Sequence, residues 1–460
     1  MRRQKNSTFP DPPDLPSFTI EEGPEATHKE PEQAPPAAFE RHANTGLRRH
    51  DVTLDEARID ADAAKIVRRL ERAGFQAYLV GGCVRDLLLG GKPKDFDIAT
   101  SARPEDVRAI FRNCRIIGRR FRLAHVFFSG GKVIEVATFR QKPVAEMLED
   151  ELAAAPEAID DLLIRSDNVF GEAHEDALRR DFTINALFYD LDRRQVLDWC
   201  GGMADISRRA IHTIGEPAIR FREDPVRILR AIKFAARLDL GITPDVVDAM
   251  VAYRDELAKA ARPRVFEEIL RLLRAGAARR SMWLLWESGA MAVLLPELAA
   301  FLDDHEGTDG GANRFWQKLR ALDEKTARQG TPLDDIVLFS TLLHEPILEA
   351  CAEEDDKIAA AYEFLEPIVE RIAVPRRISD IMRRIIAIQP RLEAGRPGRF
   401  ARTELISPAL DIFELDLISR ERSTAFVDEM RARVIEENGG SFPTRSPRPV
   451  RASRRRRHHT

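Results

Sequence analysis

Cysteine is scarce in this sequence and is not arranged in pairs. The 460 residues include four cysteines, Cys83, Cys114, Cys200 and Cys351, and none of them belongs to a CxxC motif. This spacing argues against both a disulfide framework and a zinc site. It is typical of a protein of the reducing cytoplasm, where we expect this chain to act.

Long apolar runs are also missing. No segment approaches the roughly 18–20 consecutive apolar residues that a membrane-spanning helix needs. The beginning of the chain carries basic side chains without the apolar region of a signal peptide behind them. We therefore expect neither secretion nor a membrane partner.

The chain as a whole has no excess of positive charge, although its last residues do. The formal net charge is −4 at pH 7, yet seven arginines and no acidic residue lie between Phe442 and Thr460. Such a basic end can hold phosphate backbones by charge alone. The alternative is a solvated, disordered tail that only aids solubility.

Changes of composition along the chain predict several domains of an α+β protein. Residues 1–50 are rich in proline and glutamate, which predicts a disordered arm. Strand and helix patterns mix over 51–200, which predicts an α/β head domain, and helical patterns replace them from about residue 201. We expect a helical neck over 201–276, a helical body over 277–435 and a disordered arginine-rich tail over 436–460.

The head carries the clearest local patterns. An apolar run predicts a strand over 75–80 that ends at two glycines, and a short helix is expected over 84–89. Alternating acidic and apolar side chains predict a strand over 95–99. Two further strand-like runs, 124–129 and 132–139, are joined by a glycine pair, which indicates a β-hairpin.

The first group of residues with a chemical meaning is a glycine pair followed by two aspartates. Gly81 and Gly82 lack a side chain that would keep the backbone away from a phosphate. Asp95 and Asp97 are two residues apart on a predicted strand, so both carboxylates point to the same face. A cation between them relieves their repulsion, and Mg²⁺ prefers such oxygen ligands. Two aspartates alone are weak evidence, but the glycine pair thirteen residues earlier strengthens the prediction of a two-metal phosphoryl-transfer site.

A third carboxylate usually completes such a site, and two residues compete for this role. Glu135 lies in the apolar run Val133–Ala137, where burying a lone acid is unfavourable unless it binds a ligand or a partner. It can also be an outward-facing residue of an alternating strand. Asp181 is the other candidate, and the sequence does not rank the two.

The second group is Arg179, Arg180, Asp181 and Asn185. Arginines supply fixed forks for phosphate or ribose oxygens. Asp181 and Asn185 lie one helical turn apart and can meet the same ligand, and an aspartate that accepts a bond from a ribose hydroxyl helps to select ribonucleotides. Without the other motifs, this segment is an ordinary charged entry into a helix.

The third group, Glu223, Asp224, Arg227 and Arg230, surrounds Pro225. Asp224 followed by proline is a good helix start, so capping explains that pair without any function. The two arginines fall on one helix face, and an acid together with arginines can read the edge of a base. Both interpretations remain open.

A fourth group forms a basic loop. Three arginines follow Gly118 and suit contact with an RNA backbone or a triphosphate. His125, beside the next strand, is more often a hydrogen-bonded structural histidine than a catalyst. The RNA contacts that we expect from this loop and from the basic tail are Arg119, Arg120, Arg122, Arg454, Arg455, Arg456 and Arg457.

Together, these motifs resemble the class II nucleotidyltransferases, which comprise bacterial poly(A) polymerases and bacterial and eukaryotic CCA-adding enzymes. The similarity runs from about Phe75 to Gly276 and rests on the blocks 81–97, 179–185 and 223–230. The resemblance implies a nucleotidyltransferase head, a helical neck and a helical body. Within the group, residues 116–126 (IIGRRFRLAHV) and the basic tail are similar to the poly(A) polymerases.

The resemblance also implies roles for single residues. Asp95 and Asp97 would hold the metal ions, Asp181 would contact the nucleotide, and the block from Glu223 to Arg230 would shape the base pocket. The nucleotide contacts expected in all are Gly81, Gly82, Arg85, Arg179, Arg180, Asn185, Glu223, Asp224, Arg227 and Arg230.

The expected activity is the template-independent addition of AMP from ATP to RNA 3′ ends with two Mg²⁺ ions, or Mn²⁺ in their place. Such polyadenylation would promote RNA decay, and we expect a monomer that works alongside other RNA-decay proteins. A CCA-adding enzyme is the nearest alternative, and a catalytically inactive RNA-binding protein is the alternative of another class.

Overall fold

The computed structural model describes residues 46–118, 122–141, 169–304 and 310–443. The chain forms two compact units. The first consists of Met1–Glu268 and Arg280–Leu294, and the second of Ile269–Arg279 and Leu295–Thr460. None of the described helices combines the length and the apolar character that crossing a membrane requires. The four cysteines are buried and unpaired.

The first unit is built on an eight-stranded sheet with the order β1-β8-β7-β2-β3-β6-β5-β4. Its strands are β1 Arg48–Asp51, β2 Ala77–Val80, β3 Asp97–Thr100, β4 Cys114–Ile117, β5 Leu123–Phe127, β6 Val133–Thr138, β7 Leu187–Asp190 and β8 Gln195–Asp198. Neighbouring strands run antiparallel except β3 and β6, which are parallel. A separate two-residue parallel pair joins β9 Ala210–Ile211 to β10 Gly241–Ile242.

Helices make up most of the remaining described residues. In chain order they are α1 Ala61–Arg72, α2 Gly82–Leu88, α3 Pro104–Ile110, α4 Ala173–Leu178, α5 Gly202–Arg208, α6 Pro217–Glu223, α7 Val226–Leu238, α8 Pro244–Tyr253, α9 Arg262–Arg274, α10 Ala278–Glu287, α11 Ala290–Leu294, α12 Pro296–Asp304, α13 Gly310–Gln329, α14 Asp335–Ala350, α15 Lys357–Arg371, α16 Arg376–Glu393, α17 Ile406–Ser419 and α18 Ala425–Glu437. This sheet-bearing head followed by helices confirms the α+β class.

Local sequence patterns explain several of these elements. In α1, Ile66, Val67 and Leu70 recur at helical spacing and are buried, while Asp60 accepts hydrogen bonds from two backbone N–H groups of the first turn. Such a cap stabilises a helix by about 1 kcal/mol. The hairpin of β5 and β6 forms as predicted, through a turn at Ser129–Gly131. The apolar spacing over residues 357–371 predicts a helix, and α15 has these bounds.

Three local predictions are wrong. Asp95 precedes β3 rather than lying in it, because β2 pairs with β3 only as far as Val80 and Asp97, after which Gly81 turns the chain into α2. The predicted disordered arm extends too far, since β1 begins at Arg48 and pairs with β8 through its backbone. Strand structure also continues beyond residue 201, in the short pair of β9 and β10.

Candidate active site

The turn between β2 and α2 lies at the wall of an open cleft in the first unit. Gly81 has φ of +72°, and a Cβ atom there would lie 2.9 Å from Arg180 Nη1. Any larger residue would therefore strain the backbone and displace the arginine. The sequence-predicted glycine pair brings the backbone into the cleft at Gly81 and Gly82.

Two of the four candidate carboxylates are direct neighbours across the sheet. Asp97 opens β3 and is in register with Glu135 of β6. Neighbouring positions in a parallel pair place their side chains on the same face. Reduced hydration, repulsion by Glu135 and repulsion by Asp95 raise the pKa of Asp97 above its ordinary value, against the opposing charge of Arg180. The site accumulates negative charge that a bound cation would relieve.

This donor set fits divalent magnesium. The three groups are carboxylates, and oxygen ligands of this kind are the ones Mg²⁺ prefers. Asp95, Asp97 and Glu135 are exposed, so a hydrated ion bound to a substrate phosphate can reach them.

Asp181 has a different environment. One of its oxygens accepts hydrogen bonds from the Phe182 backbone N–H at 2.9 Å and from Asn185 Nδ2 at 3.0 Å. The other accepts from Arg230 Nε at 2.7 Å. Burial would raise the pKa of Asp181, but Arg230 and Asn185 hold it well below its ordinary value. Both oxygens of this carboxylate are therefore already engaged.

Arg179 and Arg180 follow the end of helix α4. The interpretation of this segment as an ordinary charged entry into a helix required them to open one, which they do not. Arg179 and Arg180 both bind Asp176, at 2.8 and 2.9 Å, and that carboxylate is 2% exposed. Burial would raise the pKa of Asp176, but the two arginines keep it below its ordinary value. Asp176 was not predicted; its signal in the sequence is the spacing of three and four residues to the two arginines.

Arg85, a predicted triphosphate contact, is 3% exposed and held on several sides. Its Nε and Nη2 donate to Asp86 at 2.8 and 2.6 Å, and Nη1 donates to Asn185 Oδ1 at 2.6 Å. Burial lowers the pKa of Arg85 from its usual value despite the nearby acid. The second oxygen of Asp86 accepts from Arg237 of α7 at 2.8 Å. Sequence reasoning missed Arg237, since no local spacing links it to residue 86.

The acids before α7 are paired with arginines. Asp224 accepts two bonds from Arg264, at 2.9 and 2.6 Å. Glu223 accepts from Arg220 at 2.8 Å and from Arg227 at 3.0 Å. The prediction that Asp224 caps α7 is wrong: Pro225 holds the cap position without a side-chain hydrogen bond, and the Asp224 carboxylate pairs with Arg264 instead. Arg264, which no motif marked, belongs to the same cleft.

Most of the predicted nucleotide contacts come together in this cleft, whose volume is about 390 Å³. Its lining residues are Gly81, Gly82, Arg85, Asp97, Arg180, Asp181, Asn185, Asp224, Arg227, Arg230, Phe234 and Arg264. The five arginines outnumber the three acids, which suits a polyanionic ligand.

Other predicted residues lie apart from the cleft lining. Arg122 forms an ion pair with Glu105, and His125 Nε2 lies 3.5 Å from Glu135 Oε1. The remaining predicted RNA contacts lie outside the described residues, so their roles stay predictions; they are Arg119, Arg120, Arg454, Arg455, Arg456 and Arg457.

Comparison with known proteins agrees with this architecture. Residues 77–212 match the poly A polymerase head domain, 239–302 the probable RNA and SrmB-binding site of polymerase A, and 352–409 the polymerase A arginine-rich C-terminus. Poly(A) polymerase I of Salmonella typhimurium is 37% identical over 391 residues, which cover 82% of this chain and 83% of that protein. The chain belongs to the poly(A) polymerase family. It is therefore an RNA nucleotidyltransferase.

CCA-adding enzymes are also similar to this member of the poly(A) polymerase family. The enzyme of Geobacillus stearothermophilus is 40% identical over 238 residues, 52% of this chain and 55% of that protein. The crystal structure of the Bacillus stearothermophilus CCA-adding enzyme with CTP has a TM-score of 0.53 and 28% identity, and the match covers 82% of both chains.

Proposed function

We propose that this protein transfers AMP from ATP to RNA 3′ ends without a template, as a poly(A) polymerase. The observation that carries the proposal is the register of Asp97 with Glu135 beside the glycine turn and the arginine-lined cleft. Family membership supports the choice of ATP and RNA. We further propose that it acts in the cytoplasm and that the tails it adds promote RNA decay.

In this reaction the oxygen of the RNA 3′-hydroxyl attacks the α-phosphorus of ATP. A new phosphorus–oxygen bond forms, the bond to the β-phosphate oxygen breaks, and pyrophosphate leaves while the hydroxyl proton is released to solvent. Asp95, Asp97 and Glu135 would hold magnesium. When bound, the metal lowers the pKa of the attacking hydroxyl and offsets the charge that develops on the phosphates.

The remaining side chains position the nucleotide. The Gly81–Gly82 backbone permits close approach of the phosphates. Arg180 lies next to that turn and can donate to them, because an arginine fork matches phosphate oxygens. Arg85 is buried and bonded to Asp86 and Asn185, which gives it a positioning role under the turn. Asp224 and Arg264 present a carboxylate and a guanidinium at the cleft, where they can read a base edge.

Separate substitutions of Asp181 and Glu135 distinguish their roles. We expect Glu135→Gln to lower kcat about 100-fold with ATP and dATP alike, because it removes one charge from the metal site. Asp181→Asn should mainly raise the KM for ATP, because it weakens the hydrogen bonds that Asp181 accepts from Arg230 and Asn185. It should also reduce discrimination against dATP. Steady-state kinetics with both nucleotides measures this, and the exposed Asp51→Asn serves as control. Unchanged kinetics in Glu135→Gln would remove that residue from the metal site.

One extension assay tests the function. Labelled RNA is incubated with Mg²⁺ and each nucleoside triphosphate singly, and then with CTP and ATP together on a tRNA lacking its CCA end. Long tails with ATP alone support the proposal. Addition of a few residues that requires CTP identifies a CCA-adding enzyme, the alternative that the similarity to such enzymes favours. No extension with any nucleotide indicates an RNA-binding protein.

The basic tail is expected to act on RNA through counterion release. Deleting residues 444–460, which carry seven arginines, should raise the KM for RNA several-fold and flatten its dependence on salt. The KM for ATP should change little, because the nucleotide cleft lies in the first unit. Replacing the same arginines by lysine is the matched control and should preserve the salt slope. If the salt dependence of the KM for RNA is unchanged after the deletion, RNA binding must come from other residues.

A further inference from the structure

The sheet of the first unit has an outward face beside the proposed metal site. Its inner face carries the buried side chains of Ala124, Val126, Ile134 and Val136. The residues that alternate with them on β4, β5 and β6 point to the opposite side. This open face carries Arg115, Ile117, His125, Phe127, Val133 and Glu135. Ile117 is 44% and Val133 39% exposed, so the described residues leave apolar surface uncovered next to the carboxylates.

The strand register arranges the polar side chains of the open face in one row. Asp97 of β3 is in register with Glu135 of β6. Glu135 is in register with His125 of β5, and His125 with Arg115 of β4. Neighbouring strands lie about 4.8 Å apart, so the row spans about 14 Å. It runs from the proposed metal ligands to β4, the edge strand of the sheet.

The nucleotide cleft lies in the other direction from Asp97. There, Asp97 is in register with Val80, the residue before Gly81. The lining of the cleft includes Asp97 but no residue of β4, β5 or β6. In phosphoryl transfer, the attacking and the leaving oxygens lie on opposite sides of the phosphorus. With ATP in the cleft, the hydroxyl of the RNA therefore reaches the carboxylates from the open face.

The side chains in and beside the row offer the contacts that single-stranded RNA uses. The Arg115 guanidinium lies 5.5 Å from the centre of the Phe127 ring. The centres of the His125 and Phe127 rings are 6.4 Å apart. Aromatic rings stack on bases, and arginine binds phosphates and also stacks. No ion pair joins Arg115 to another residue that the structure describes, so its charge is open to an anion.

Two other occupants fit the open face less well. An apolar segment of a protein would cover Ile117 and Val133 but would leave the charge of Arg115 unpaired in the interface. A second free triphosphate would meet the negative charge of Glu135. RNA offers flat bases to the apolar side chains and a phosphate to the guanidinium. Its terminal hydroxyl also accounts for the carboxylates at the end of the row.

We propose that the open face binds the last nucleotides of the RNA chain, with bases stacked on Phe127 and His125 and a phosphate at Arg115. The inference rests on the proposed function, because a nucleotidyl transfer brings the 3′-hydroxyl to Asp97 and Glu135. Stacking does not depend on the hydrogen-bonding edge of a base. The site therefore accepts RNA of any terminal sequence, which suits a polymerase that works without a template.

Substitution of the aromatic ring tests the stacking contact. Phe127→Leu keeps an apolar side chain but removes the ring, so it should raise the KM for RNA about tenfold. The KM for ATP should stay unchanged, since Phe127 does not line the nucleotide cleft. Phe127→Trp should preserve the KM for RNA. Phe128→Leu is the matched control, because the Phe128 ring lies against Lys132, at 5.8 Å from its Nζ, and not in the row.

Substitution of the arginine tests the phosphate contact. Arg115→Gln should raise the KM for RNA and reduce the slope of its logarithm against the logarithm of the salt concentration by about 0.7, the value of one phosphate contact on a single strand. Arg108→Gln is the matched control, since Arg108 is exposed on α3 and lies outside the row. Melting temperatures of all variants, measured in parallel, report whether each one is folded.

Photo-cross-linking locates the RNA without requiring turnover. The full-length protein is irradiated with oligonucleotides that carry 4-thiouridine either at the 3′ end or at the 5′ end, and mass spectrometry identifies the cross-linked peptides. We expect the 3′-terminal base to cross-link to β4 or β5. Cross-links of this base only to other segments, or an unchanged KM for RNA in both Phe127→Leu and Arg115→Gln, would overturn the inference. Failure of the proposed function gives a different result, because the wild-type protein would then extend no RNA with ATP.

Discussion

Replacing Asp97 by asparagine should reduce the rate of AMP incorporation about 1,000-fold, because loss of a metal-ligand charge removes several kcal/mol of transition-state stabilisation. The KM for RNA should change little. The fold should remain intact, since Asp97 is exposed and begins a strand whose ladder uses only its backbone. Single-turnover assays with saturating ATP measure the effect, and the exposed Asp192→Asn is the control.

The melting temperature, measured with and without Mg²⁺, distinguishes loss of metal binding from loss of the fold. The raised pKa of Asp97 means that its ionised form is disfavoured in the folded protein without metal. Neutralising it should therefore leave the melting temperature in EDTA unchanged or slightly higher. Added Mg²⁺ should raise the melting temperature of the wild-type protein, since a ligand that binds only the native state stabilises it, and should have little effect on Asp97→Asn. A variant that kept more than a few per cent of its activity would contradict the assignment.

The second large effect concerns the ion pair of Asp181 and Arg230 in the cleft lining. Arg230→Met leaves the largely buried carboxylate of Asp181 without its main partner. Breaking a fully buried pair costs about 3–5 kcal/mol, and because Arg230 is 30% exposed we expect a loss of about 2–3 kcal/mol in the free energy of unfolding at pH 7. Activity should fall too, through a higher KM for ATP.

The loss should depend on pH in a defined direction. The pKa of Asp181 in the folded protein lies below its unfolded value, so its stabilising contribution is present above about pH 4 and disappears as the pH falls through the folded value. The difference between wild type and Arg230→Met should therefore stay nearly constant between pH 7 and about pH 5 and shrink as the pH falls below about pH 4. Urea unfolding at several pH values measures it. The double variant Asp181→Asn/Arg230→Met should be less destabilised at pH 7 than Arg230→Met, and an equal loss at every pH would exclude the ion pair as the cause.

Helix positions and the glycine turn could be predicted because their causes are local. The apolar spacing that defines α15 and the turn chemistry at Gly81 depend on neighbours within a few residues. Even so, β1 was missed, since its sequence RRHD has no alternating apolar pattern and its pairing with β8 comes from the backbone.

The choice between Glu135 and Asp181 needed information that no local pattern carries. Glu135 lies beside Asp97 because β6 pairs with β3 in parallel. Neither strand's sequence shows which strand it pairs with. Similarly, local reasoning offered helix capping for Asp224, but α7 has no side-chain cap and the Asp224 carboxylate pairs with Arg264, forty residues away. Long-range relations of this kind, one a strand register and one a side-chain pair, support the part of the proposed site that sequence reasoning left open.

The bridge made by Asp86 bears on how the protein matures during synthesis. One carboxylate joins Arg85, beside the glycine turn, to Arg237, which is 151 residues further along the chain than Asp86. Domains fold as their residues emerge from the ribosome, and long-range contacts must wait for the later partner. A nascent chain that ends at residue 212, the last position of the matched head domain, has Asp86 and Asp181 without Arg237 and Arg230. We infer that the nucleotide cleft is completed only after α7 has been made, so the head by itself is not an independent catalytic module.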